Sequence, residues 1–69
     1  MSRGVTAAIM SKDDFSRIGA LYVILRASTF REDQAVLVSR QEYDRLQIGM
    51  LVRVSRVGWG PISKWRIQT

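Results

Sequence analysis

The alternation of apolar and polar positions divides this 69-residue chain into five short strands and one helix. "GVTAAIM" (Gly4 to Met10) sets Val5, Ala7 and Ile9 against Thr6, Ala8 and Met10, a period of two that predicts a strand. "SKDDFSRIG" (Ser11 to Gly19) is polar and closes on glycine, which predicts a loop with at most one helical turn capped by Ser11. "ALYVILRA" (Ala20 to Ala27) is rich in β-branched and aromatic residues. It stays apolar on both faces as far as Arg26, as befits a strand covered on both sides for most of its length. A polar turn, "STFREDQ" (Ser28 to Gln34), precedes "AVLVS" (Ala35 to Ser39), a short strand expected to run antiparallel to the one before it.

The period changes at Ser39. Glu42 follows three residues later, so the Ser39 hydroxyl can accept from the Glu42 amide while the Glu42 carboxylate accepts from the Ser39 amide. Tyr43 and Leu46 then share one helical face, and Gly49 supplies a stop, giving a helix of about two turns. "MLVRVSRV" (Met50 to Val57) returns to a period of two with Met50, Val52 and Val54 inward. "GWGP" (Gly58 to Pro61) is a turn. "ISKWRIQ" (Ile62 to Gln68) is a last strand with Trp65 and Ile67 inward and Lys64, Arg66 and Gln68 outward. Short antiparallel strands in a small chain remove their exposed edges by curling into a barrel. The expected fold is therefore mainly β: a small five-stranded antiparallel barrel with one short helix between strands 3 and 4, the OB-like arrangement, with an SH3-like barrel as the alternative.

Composition narrows the chemistry. At 46% apolar and 25% charged, the chain is a single globular domain over residues 1–69 rather than a disordered segment. A chain this small buries only about 60% of its unfolded surface, so a second copy that completes the core is one expected kind of partner. It has no cysteine and no histidine, which excludes Cys/His zinc sites, thiol nucleophiles and a Ser-His-Asp triad. It has neither a P-loop nor a GxGxxG, and no cofactor is expected. Asp13 and Asp14 read as solvated loop acids rather than as an acid/base pair or a Mg²⁺ site. The longest apolar stretch, Ile18 to Leu25, falls short of the about 20 residues a membrane helix needs. The first residues lack the apolar core of a signal peptide. A cytoplasmic protein without a membrane partner is the expectation.

The charges are unevenly placed. Up to Asp44 the chain carries six cations (Arg3, Lys12, Arg17, Arg26, Arg31, Arg40) and six acids (Asp13, Asp14, Glu32, Asp33, Glu42, Asp44), which cancel. From Arg45 onward it carries five cations (Arg45, Arg53, Arg56, Lys64, Arg66) and no acid, so the whole excess of +5 lies in the last third. An anionic partner for that part follows. If the last two strands form a hairpin with Val54 opposite Trp65 and Val52 opposite Ile67, then Ser55 faces Lys64 and Arg53 faces Arg66 on the outer side. Like charges held across a ladder are unfavourable until a phosphate bridges them. Trp65 reads as core. Trp59, between two glycines, is placed at a turn tip where it can stack on a base or enter a partner's pocket.

These features point to a non-enzymatic nucleic-acid-binding protein, single-stranded DNA or RNA being favoured over duplex. Arg53, Arg56, Lys64, Arg66 and Arg45 would provide the phosphate contacts, and Trp59 the stacking. The alternative from another class is a protein-binding adaptor or inhibitor that docks the same basic face on an acidic protein surface. A third is a subunit whose barrel serves only assembly.

Overall fold

The computed structural model describes residues 4–58 and 64–68. Five strands form one antiparallel sheet: β1 (Val5–Phe15), β2 (Ala20–Arg26), β3 (Gln34–Leu37), β4 (Leu51–Val57) and β5 (Lys64–Ile67), in the spatial order β3-β2-β1-β4-β5. A short helix, α1 (Arg40–Arg45), lies between β3 and β4 in the chain. The mainly β architecture with one helix after the third strand is as the sequence predicts. The expected closure into a barrel is not reached: β3 and β5 remain the two edges of an open sheet. They approach one another, but each is only four residues long, and no backbone hydrogen bond joins them among the described residues.

The sheet curls around a single apolar core. Ala7 and Ile9 of β1, Leu21, Val23 and Leu25 of β2, Val36 of β3, Val54 of β4 and Ile67 of β5 all turn inward, with Val38 and Leu46 closing the cluster. Among the described residues, Ile9, Val23, Leu25 and Val54 are the largest side chains fully removed from water. Burying an aliphatic side chain of this size is worth about 1.5–3 kcal/mol, and every strand contributes.

The strand β1 runs five residues further than the alternation predicts. The stretch "SKDDF", expected to be a loop, pairs with β2 as far as Phe15 opposite Ala20. A bulge makes this possible. Ile9 lies opposite Leu25 but Ser11 opposite Ile24, so Met10 is the extra residue. One inserted residue exchanges the two faces of a strand. Before the bulge the odd positions Ala7 and Ile9 face the core; after it Lys12 lies opposite inward-facing Val23, and Asp14 opposite Leu21.

The polar residues brought round by the bulge receive α1. The Lys12 ammonium sits 4.2 Å from the centre of the Tyr43 ring, and Arg40 reaches Asp14 at 3.7 Å and Asp44 at 3.6 Å. Asp14 also accepts from the Ser16 amide at 2.8 Å, at the start of a 3₁₀ turn (Ser16–Ile18) that ends on Gly19 in the left-handed conformation, φ 77°. The helix begins as its sequence predicts. The Ser39 hydroxyl accepts from the Glu42 amide at 3.2 Å, and Glu42 Oε1 accepts from the Ser39 amide at 3.0 Å. It ends earlier than expected, at Arg45 with Leu46 as its C-cap, and Gly49 (φ 91°) serves instead in the turn that leads into β4.

Two predictions follow from these contacts. Ser39→Ala removes the cap and should lower stability by about 1 kcal/mol, read as a shifted urea midpoint with an unchanged m-value; an unmoved midpoint would show that the cap contributes nothing. Hydrogen bonding from Ser16 lowers the Asp14 pKa, and hydrogen bonding from Arg26 (2.8 and 3.0 Å) lowers that of Asp33. A carboxylate whose pKa is depressed on folding stabilises the fold at neutral pH, and that contribution is lost as pH falls through the folded-state value. Wild type should therefore lose stability on acidification below the ordinary carboxylate range, and Asp33→Asn should reduce the loss, as followed by thermal melts across pH.

Candidate functional site

The hairpin of β4 and β5 carries four of the candidate cations. Its register is Val54 opposite Ile67, Ser55 opposite Arg66, Arg56 opposite Trp65 and Val57 opposite Lys64. This differs by two residues from the expected pairing of Val54 with Trp65 and Arg53 with Arg66. A shift of two preserves which side chains face inward, so the alternation is satisfied by either register. Side-chain size separates them. Ile67 fits beside fully buried Val54, whereas the larger Trp65 moves toward the end of the sheet, half-buried, with its ring 4.9 Å from that of Phe30. The ladder here is regular, with Arg56 paired to Trp65 in step with its neighbours.

The register redistributes the cations. Arg53, Lys64 and Arg66 share the outer face, all exposed. Arg66 lies across from Ser55 and diagonal to Arg53, not directly opposite it; the last residue described, Gln68, donates its amide to the Arg53 carbonyl at 2.8 Å. The direct arginine–arginine opposition is thereby avoided. Gly4 leaves room for the Arg53 side chain, which lies so close over it that a Cβ there would force the guanidinium aside. Arg56 falls on the other face. Its guanidinium lies 5.5 Å from the centre of the Trp65 ring, a cation–π contact at the end of the core.

Arg45 ends α1, where a cation is favoured by the helix dipole. It borders two hollows. One of about 290 Å³ has Arg45 and Arg53 on its rim. The other, of about 830 Å³, is the cleft between the sheet edges and has Arg45, Lys64 and Arg66 on its walls. The structure thus gathers Arg45, Arg53, Lys64 and Arg66 and sets Arg56 apart. Trp59 lies outside the described residues.

The ion pairs among the described residues are Arg26–Asp33, Arg40–Asp14 and Arg40–Asp44, all from the charge-balanced part of the chain. Arg45, Arg53, Arg56, Lys64 and Arg66 form none among the described residues. No group of three His, Cys, Asp or Glu side chains there could hold a metal ion, and no described helix is long and apolar enough to cross a membrane.

Two aromatic residues to which sequence reading assigned no role lie on the outer face of the sheet. Phe15, 51% exposed, meets Tyr22 edge to face at a ring separation of 6.2 Å. Leu37, 61% exposed, lies opposite Tyr22 on β3. Phe15 was hidden by the polar run before it, and Tyr22 by a strand apolar on both faces. The signal available in the sequence was that half of such a strand must face outward.

The different surroundings of the arginines give a stability test. Arg56→Ala should cost about 0.5–1 kcal/mol, the worth of an exposed cation–π contact, whereas Arg66→Ala should stay within about 0.5 kcal/mol of wild type. Equal effects in urea denaturation would show that Arg56 is not engaged with Trp65.

No protein-family model matches the chain, and neither a curated protein nor a solved structure matches it.

Proposed function

We propose that this is a non-enzymatic, OB-type domain that binds nucleic acid through the outer face of the β4–β5 hairpin. The observation that carries the proposal is the cluster of Arg53, Lys64 and Arg66 on one exposed face, joined at the cleft by Arg45 and without an acidic partner among the described residues. Each of these groups is free to bind a phosphate, and guanidinium groups do so in a bidentate manner. Arg56 and Trp65 act as the structural end of the hairpin. The OB-type reading is supported by the strand order, by the helix after the third strand and by the approach of β3 to β5, since such barrels are often partly open.

Phosphate binding by these cations has a quantitative signature. Affinity for single strands should fall with salt by about 0.7 in log–log slope for each phosphate neutralised, hence a slope of about −2.8 for the four contacts. Replacing Arg53 and Arg66 together by serine should weaken binding to every sequence tested and flatten the slope by about half, as measured by fluorescence anisotropy over a salt series. If wild type binds no single strand, duplex or RNA at about 50 mM salt, where phosphate contacts are strong, the proposal fails. A basic face that docks on an acidic protein then replaces it.

A further inference from the structure

The cleft between the sheet edges brings aromatic and cationic side chains to one place. Its walls include Tyr22 and Leu37 on the β2–β3 side, Lys64, Trp65 and Arg66 of β5, and Arg45 at the end of α1. Its volume of about 830 Å³ is within the roughly 300–1,000 Å³ usual for binding pockets. Three of its side chains are cations and one, Glu42, is an acid; the Glu42 carboxylate is held by the Ser39 amide. The opening is therefore net positive, with an aromatic ring on the wall across from Lys64 and Arg66. Beyond Tyr22 the outer face continues to Phe15.

We infer that this cleft is the seat of a single nucleic-acid strand, with phosphates on Arg45, Lys64 and Arg66 and an unstacked base against Tyr22, the next base reaching toward Phe15. The inference rests on the proposed function and goes further in assigning a path and a base-contacting residue. The ligand is fixed by two chemistries found together. The cations favour a polyanion. The aromatic surface of half-buried Tyr22 and exposed Phe15 favours a polyanion that presents flat, unpaired bases, and a duplex keeps its bases stacked inside. An acidic peptide satisfies the cations but leaves Tyr22 and Phe15 without a planar partner.

The experiment compares an oligothymidylate with an abasic strand of the same length, which has the same phosphates and no bases. Wild type should bind the oligothymidylate more tightly. Tyr22→Ala should lose at least about fivefold for the oligothymidylate, lose nothing for the abasic strand and keep the wild-type salt slope; Tyr22→Phe, which retains the ring, should restore the preference. A bromouracil strand irradiated on the wild-type protein should crosslink to the peptide that holds Tyr22 or Phe15, a readout that needs no variant to fold. If wild type binds both strands and Tyr22→Ala leaves their ratio unchanged, or if crosslinks fall only outside the cleft, the cleft is not the path, although the basic hairpin face stands. If duplex binds as tightly as single strand, or a poly-glutamate peptide binds more tightly than either strand and depends on Tyr22, the inference is overturned. If wild type binds no nucleic acid, the inference and the proposed function fail together.

Discussion

The fold depends on a single strand doing two jobs. β1 pairs with β4 through Val5 to Ala8 and with β2 through Ala8 to Phe15, so Ala8 belongs to both ladders, opposite Arg26 and opposite Leu51. A flat strand that served both neighbours over its full length would leave a small chain with two exposed faces. β1 instead bends at Met10 and gives each neighbour its own segment, which lets the sheet curl over one core. The bulge also decides where the helix sits. It turns Lys12 and Asp14 to the inner side, where they meet Tyr43 and Arg40 of α1. The seat of the helix thus rests on one extra residue.

Much of the architecture is legible in the sequence because local rules set it. The Ser39–Glu42 pair announces the start of α1, the glycine at 19 marks a turn, and the alternations of β1 before its bulge, of β4 from Val52 and of β5 assign inner and outer faces correctly, whereas Met50, expected inward, is exposed ahead of β4. The parts that were not legible depend on partners distant in sequence. A polar stretch such as "SKDD" resembles a loop until a helix arrives to receive its inward residues. A slip of two residues leaves every side chain on its own face, so alternation alone cannot choose between Trp65 and Ile67 as the partner of Val54. That choice is made by core volume and by Phe30, which the sequence alone did not attach to anything.

The candidate site divides in the same way. The excess of cations after Asp44 is a property of the chain, and its outward placement at Arg53, Lys64 and Arg66 follows from a period of two. The separate setting of Arg56 depends on the hairpin register. Phe15 joins Tyr22 on the outer face only because β1 continues past its bulge to pair with β2. Charge is thus legible from composition, whereas the aromatic component of a surface emerges only when strands are assembled.

The open edges have a consequence for the molecule in solution. A free strand edge is a template for the edge of another copy, and short length and charge are the usual defences. β3 and β5 are four residues each, and β5 bears Lys64 and Arg66. Two copies approaching through β5 would set these cations against their own counterparts. The side chains proposed to hold phosphates thus also act as gatekeepers against pairing of β5 with the edge of another copy.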